Sequence, residues 1–480
     1  MRHIILFCTF ALSIIGENAS TAVSVEKIKG GVEAQIQGAG IPKAQIGVWI
    51  GYKDQKIFSL NGEEKFMPAS VSKLLPAAAA LDWFSSSHQF ETNIAVQGQI
   101  ENGALRGDLY LVGGGDPSFT SENLWILVND FVREGVKKIE GDIVVDDRRF
   151  DSVRFDPGRD ENGDDRDKAY TAPVGAMSFN WNSVNVVIRP GDQIGEAVKV
   201  FANPSTEYIE IINEARTVRG SGSDIEVIRL GLRFTDEGEA RDVIKVKGTY
   251  GTQNGELSVF RNITKPDYWS GYNLKSFLKQ RGIEVVGKVR LGEKPSAARI
   301  VAKAQGLTLS HAIAAMLKVS NNYMAEMVTK NLGASAQSGE PASMEAGLEA
   351  IRKFLDRQGV KRADYSLTSP SGLSRRNKFR PKDLHDLLHK LRLTLVNFPE
   401  FLAAQSIGGT DGTLAERMKG TVAQGRIRGK TGTISGVVCL AGYAMRPDGE
   451  VITFAFMING DSGTAAARAL VDKMALALFL

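Results

Sequence analysis

The chain has 480 residues, 43% apolar and 24% charged, with a formal net charge of +4. That length exceeds one ordinary hydrophobic core and predicts two or three domains. The composition is that of a soluble globular protein without a low-complexity tract, and so small a positive charge excludes any electrostatic case for nucleic-acid binding.

Residues 1–22 read as an export signal. Arg2 opens a short positive region, an apolar run spans 4–15, and Ser20-Thr21-Ala22 supplies small residues for cleavage. The run is short for a membrane span, and Phe7 stands before Cys8 where a lipoprotein signal needs a small residue. Cleavage would leave Cys439 alone, so the mature chain can form no internal disulfide. Its neighbours Val437, Val438, Leu440 and Ala441 predict a buried, inert thiol. Ile28, Val32 and Ile36 predict a helix over 25–36, and two strands follow over 45–51 and 56–60 around Lys53-Asp54. Next comes Phe66-Met67-Pro68-Ala69-Ser70 and an apolar core helix running to Phe84, which Pro76 should kink slightly.

Residues 91–292 show strand-like alternation broken by turns such as Gly113-Gly114-Gly115-Asp116-Pro117. They predict an inserted, mostly β accessory region of one or two subdomains, dividing a domain made of 23–90 and 293–480. Helical stretches over 309–319 and 323–332 flank Ser320-Asn321-Asn322. The basic run from Arg375 to Arg380 predicts a solvated loop that enters a helix at Pro381. Near the end, strands over 437–445 and 451–458 are joined by Arg446-Pro447-Asp448-Gly449, with Lys430-Thr431-Gly432 on the strand before them. Strands from both ends of the chain are thus expected in one antiparallel sheet with helices on its faces, an α/β (α+β) fold. Residues 465–480 suit a helix laid on that sheet; a peripheral membrane anchor is the less favoured alternative. No segment after the signal is long and apolar enough to span a bilayer.

Three strings occur in order: Ser70-Val71-Ser72-Lys73, Ser320-Asn321-Asn322 and Lys430-Thr431-Gly432-Thr433. Each alone is weak, but the ordered set points to acyl-transfer chemistry. Residues three apart share a helix face, so the Lys73 amine can take the Ser70 hydroxyl proton once neutral. A nearby Lys430 would help keep Lys73 deprotonated. Ser320 can relay a proton and Asn322 can hold a substrate amide. Gly432 would let a substrate backbone lie against the strand, the Thr431 and Thr433 hydroxyls with Lys430 suit a terminal carboxylate, and the Thr433 and Ser70 amides can form an oxyanion hole. A phosphate loop over Gly425–Thr431 is disfavoured, being one residue short between its glycines and followed by strands. No Gly-x-Ser-x-Gly elbow exists, and His385 and His389, four apart, lack both a zinc-protease glutamate and a third ligand.

On these strings the chain resembles the class C, type-4 low-molecular-mass penicillin-binding proteins, which are D-Ala-D-Ala carboxypeptidases and endopeptidases. Further matching strings are Gly107-Asp108-Leu109, Gly115-Asp116-Pro117, Ser371-Gly372-Leu373-Ser374-Arg375, Asp411-Gly412-Thr413-Leu414 and Leu440-Ala441-Gly442-Tyr443. The resemblance implies a penicillin-recognising transpeptidase-like domain interrupted by accessory domains. It implies periplasmic or secreted work on peptidoglycan muropeptides, covalent capture of β-lactam antibiotics at Ser70, and no metal or organic cofactor. It also implies that Asp165, Tyr170 and Arg375 read the substrate's diamino-acid side chain and a carboxylate. Alternatives within the fold are a β-lactamase or esterase and a non-catalytic wall-binding scaffold; a homo-oligomer is left open.

Overall fold

The computed structural model describes residues 24–156, 166–337 and 341–480. The expected export signal lies outside them. A six-stranded antiparallel sheet runs in the order Gln55–Leu60, Ile46–Tyr52, Val451–Asn459, Val437–Met445, Ile427–Ile434, Ser406–Ile407. The first two strands come from the start of the chain and the other four from its end. The pairing of Ile46 with Ile458 and of Tyr52 with Ile452 joins them.

The central strands are buried on both faces, which explains why they read as nearly continuous apolar runs. Period-two alternation still sorts their side chains. Val437, Cys439, Ala441 and Tyr443 face a helical layer containing the helices Leu74–Trp83, Leu309–Lys318 and Asn322–Ala336. Val438, Leu440, Ala444, Phe454 and Phe456 face the helices Val25–Gln37 and Thr464–Ala477. The latter helix buries Ala467, Leu470, Val471 and Met474 on that sheet, so the stripe that could have suggested a membrane anchor is covered. Arg446 in the hairpin donates to the Leu478 carbonyl (2.8 Å) and tethers its C-terminal end. Among the described residues no helix is long and apolar enough to cross a membrane.

Between these parts the chain builds a second core. A five-stranded mixed sheet runs Val289–Leu291, Ile143–Asp146, Leu109–Gly113, Gln89–Val96, Arg299–Thr308, covered by the helices Ser121–Val132 and Pro266–Gln280. Arg299–Thr308 pairs with Gln89–Val96, so hydrogen bonding carries the inserted sheet past residue 292. Residues 183–262 make small sheets; one of them sets Ile209–Asn213 parallel to Ala240–Lys247. The inserted region docks on the Asn322–Ala336 helix through Asn331, whose side-chain amide donates to the Gly115 carbonyl (2.7 Å). Gly115 has φ +81, and a Cβ there would stand 2.5 Å from the Asn331 oxygen.

Two local expectations need correction. Pro76 does not kink a continuous helix. Ala69–Lys73 is a 3-10 turn and the α-helix begins at Leu74, which puts Pro76 in its first turn, where no N–H donor is required. The basic run 375–380 is not simply a solvated loop. Asn377 is fully buried: its amide donates to Ser72 Oγ (3.1 Å) and the Ser369 carbonyl (2.7 Å), and its oxygen accepts from the N–H groups of Thr368 and Ser369. Phe379 exchanges two backbone bonds with Phe66. Asn377→Ala would strand these buried partners, at a cost of about 1–3 kcal/mol. We expect a lower urea midpoint, with Asn377→Asp recovering only part of it; an unchanged midpoint for Asn377→Ala would refute this role.

Candidate active site

Pro68 leads into a left-handed residue, Ala69 (φ +47), and from there into the 3-10 turn that carries Ser70 and Lys73. Lys73 is fully buried; its Nζ donates to Ser70 Oγ at 2.8 Å and to the Ser371 carbonyl at 2.6 Å. Two glycines press against this turn. A Cβ on Gly372 (φ +81) would lie 1.9 Å from the Ala69 carbonyl oxygen. One on Gly432 would lie 2.5 Å from the Pro68 oxygen and 3.2 Å from the Ser70 nitrogen. Gly432 therefore serves first to seat its strand against the Ser70 turn, a closer contact than the expected approach of a substrate backbone.

Ser320 sits between two helices in a left-handed conformation (φ +59), and its hydroxyl accepts from Lys430 Nζ at 2.9 Å. Lys430 is wholly buried on the strand Ile427–Ile434 and also donates to the Thr431 carbonyl (2.8 Å). Burial pushes its amine down to about 7. The stretch weighed as a phosphate loop thus runs into a sheet strand. Asn322 opens the helix Asn322–Ala336 rather than lying in the loop, and one of its amide hydrogens goes to the Tyr170 carbonyl (3.1 Å).

Ser70, Ser320, Thr431 and Thr433 line one cleft of about 500 Å³ together with Thr413 and Arg468. A larger cavity of about 780 Å³ lies in the inserted region and touches none of the three strings. Tyr170, half-exposed on the turn Ala169–Thr171, borders the neighbouring groove with Asn322. Arg375 donates to the Ser435 carbonyl (2.9 Å), in the turn after Thr433. Asp165 lies outside the described residues. Among the described residues no group of three or more His, Cys, Asp or Glu is placed to hold a metal ion. Cys439 is buried, and burial pushes its thiol up.

Several residues at this site carried no assigned role in the sequence. Thr413 accepts from Thr431 Oγ1 at 2.7 Å. Asp411, two residues earlier, pairs with Lys318 (2.6 Å) and so braces the loop that ends at Ser320. The Asp-Gly-Thr-Leu string was the available signal. Arg468 on the helix Thr464–Ala477 is exposed and lines the same cleft, and nothing in its sequence context marks it.

A serine and lysine one turn apart under a core helix, facing an antiparallel sheet strand across a cleft, define a penicillin-recognising serine peptidase fold. The chain belongs to the D-Ala-D-Ala carboxypeptidase 3 (S13) family, whose model matches residues 28–478. It is a serine-type DD-carboxypeptidase, a hydrolase. A D-alanyl-D-alanine carboxypeptidase of Actinomadura sp. (strain R39) is 31% identical over 439 residues, covering 88% of this chain and 79% of that protein. Penicillin binding protein 4 (dacB) from Haemophilus influenzae superposes with a TM-score of 0.77 at 26% identity, over 92% of this chain and 97% of the other. The Bd0816 predatory endopeptidase from Bdellovibrio bacteriovorus shares the fold, with a TM-score of 0.51 at 16% identity over 89% of this chain and 90% of the other.

Proposed function

We propose that the cleft cleaves the D-Ala-D-Ala bond of peptidoglycan stem peptides through an acyl-enzyme on Ser70. The observation that carries this reading is the 2.8 Å hydrogen bond between Lys73 Nζ and Ser70 Oγ. Lys73 takes the hydroxyl proton as Ser70 Oγ attacks the penultimate D-Ala carbonyl. The oxyanion is held by the N–H groups of Ser70 and Thr433. Lys430, acting through Ser320, delivers a proton to the departing amine, and water then releases the acyl group. Asn322 holds the substrate amide. The terminal carboxylate meets Thr431 and Thr433, with Arg468 adding positive charge to the cleft; Asp165 and Tyr170 read the diamino-acid side chain, and Arg375 pairs with a substrate carboxylate. The same attack on a crosslink, where the leaving amine belongs to a second stem peptide, makes the enzyme a DD-endopeptidase as well. A β-lactam would acylate Ser70 in the same way. This work requires export to the periplasm or exterior. We place the peptidase domain on the residues before Gln89 and after Thr308, with the inserted accessory region between them.

Incubation with a fluorescent penicillin, followed by mass spectrometry of the peptide containing Ser70, tests the reading. One slowly released adduct is expected. No adduct would favour a non-catalytic scaffold, and rapid turnover of a chromogenic β-lactam would favour a β-lactamase; either result overturns the proposal.

Lys430 also sets a pH dependence. As the proton donor it must be charged, and its free-enzyme value near 7 puts the loss on the alkaline side. We expect kcat/KM for a D-Ala-D-Ala peptide to fall about tenfold per pH unit above that point as the proton is lost. Lys430→Arg, charged at every working pH, should remove this limb. A limb falling toward acid at the same value would show that the neutral amine is the working form.

A further inference from the structure

Beside the Ser70 cleft lies a second groove, and the two share Ser320. It has a volume of about 270 Å³ and is walled by Tyr170, Trp181, Phe260 and Val319, with Ser183 and Asn321 at its polar edge. None of its described lining residues carries a charge. Trp181 is 45% exposed and Phe260 55% exposed, and what sets them apart is that the two rings border one groove.

The backbone is bent to present the tryptophan. Asn180, Trp181 and Asn182 are all left-handed, with φ +48, +53 and +51. Non-glycine residues in that region are costly unless their surroundings hold them. Here both asparagines are clamped. Asn180 Oδ1 accepts from the Ser121 N–H (3.0 Å), while the Asn182 amide donates to the Pro173 carbonyl (2.8 Å) and its oxygen accepts from the Phe179 N–H (3.2 Å). The bend therefore belongs to the fold, and its one exposed product is the indole.

The aromatic surface continues away from the cleft. In the small sheet that begins at Ser183, Phe260 pairs with Asn185 and Phe201 with Val187. Cross-strand partners share a face, so both phenylalanines stand on the outer face, opposite the buried Val184, Val186 and Ile188. That outer face would ordinarily be polar, yet Phe201 is 52% exposed. Two strand spacings across the sheet and a two-residue offset along it put their Cα atoms about 11–12 Å apart, on either side of the central strand.

We propose that Trp181, Phe260 and Phe201 form a glycan-binding track, on which the amino-sugar backbone of peptidoglycan lies while its stem peptide enters the Ser70 cleft. This assignment rests on the peptidase reading above. The chemistry separates sugar from peptide: Tyr170 and Asn322 at the inner wall are left to the stem peptide, and farther out the described lining offers no charged side chain to pair with its carboxylates. The uncharged C–H face of a pyranose ring packs on an aromatic face, and its N-acetyl and hydroxyl groups can bond Ser183 and Asn321. Continuity with the cleft fixes the order, sugar outside and scissile bond inside.

The test compares two substrates, a free stem pentapeptide and the same pentapeptide carried on its disaccharide. Wild type should show a KM about tenfold lower for the glycan-linked form at similar kcat. Trp181→Ala and Phe260→Ala should erase that difference, while free-pentapeptide kinetics and fluorescent-penicillin labelling stay as in wild type. Tryptophan fluorescence with a peptide-free N-acetylglucosamine tetramer should report binding to wild type that Trp181→Phe alters and Phe260→Ala weakens. If wild type treats the two substrates alike, or the variants lose both equally, the track is refuted. If wild type cleaves neither substrate, the peptidase reading fails, and the tetramer titration still decides the track by itself.

Discussion

Ser70→Ala is expected to fold, to acquire no covalent penicillin, and to cleave D-Ala-D-Ala peptides more slowly by a factor on the order of 10⁴–10⁶. The fold should survive because the lost atom is small and lies at the cleft, where Ser70 is only part-buried. Lys73 keeps its 2.6 Å bond to the Ser371 carbonyl, so the buried amine still has a partner. The protein would therefore lose the proposed bond-forming atom while the groups around it stay in place. Stem-peptide digestion followed by mass spectrometry reads the effect, with urea unfolding as the control. A Ser70→Ala protein that still trimmed terminal D-Ala at an appreciable fraction of the wild-type rate would place the nucleophile elsewhere.

Gly432→Ala should lower kcat/KM by a factor on the order of 10², although no reacting atom is removed. The added Cβ would meet the Pro68 oxygen at 2.5 Å, the Ala69 Cβ at 3.1 Å and the Ser70 nitrogen at 3.2 Å. Two of these are backbone atoms and cannot swing aside, so either the strand carrying Lys430 or the turn carrying Ser70 must retreat. Both outcomes would separate the proposed proton donor from the proposed nucleophile and spoil the angle between the Ser70 and Thr433 amides. Gly30→Ala is the matched control: it lies in the Val25–Gln37 helix with nothing within 4 Å of the new atom. It should leave kinetics untouched and stabilise slightly, by about 0.5–1 kcal/mol. Rates of acylation by a fluorescent penicillin separate the two variants, and equal rates would show that the tight contact has no catalytic consequence.

Much of this architecture could be read before any coordinates because its signals are local or strongly periodic. Ile28, Val32 and Ile36 announced a helix, and the runs around Val437 and Phe454 announced paired strands with a turn at Pro447-Asp448-Gly449. The three strings could be read as a set only because their order is informative. What escaped reading depends on contacts between distant segments. Nothing near Asn377 reveals that Ser72 lies within bonding reach; surrounded by arginines and a lysine, it looks solvated. The left-handed states of Ala69 and Ser320 are imposed by what packs on them, not by residues that favour such angles. Arg299–Thr308 alternates as a strand does, but the sheet it joins is chosen by its register with Gln89–Val96. Asn180-Trp181-Asn182 has turn-forming flanks, yet an exposed indole between them follows from bonds to Ser121 and Pro173.

The six-stranded sheet interleaves the first strands of the chain with the last, Ile46–Tyr52 lying against Val451–Asn459. A ribosome makes residue 46 long before residue 451, so the early pair must wait, unpartnered along one edge, until Val451–Asn459 has emerged. The stretch from Gln89 to Thr308 can meanwhile close on itself, since the partners in its five-stranded sheet all lie within it. Ser70 and Lys73 cannot meet Lys430 until that late closure. On the proposed mechanism a product that stops short of Val451–Asn459 would be chemically silent, because the strand that unites the two groups of residues is missing.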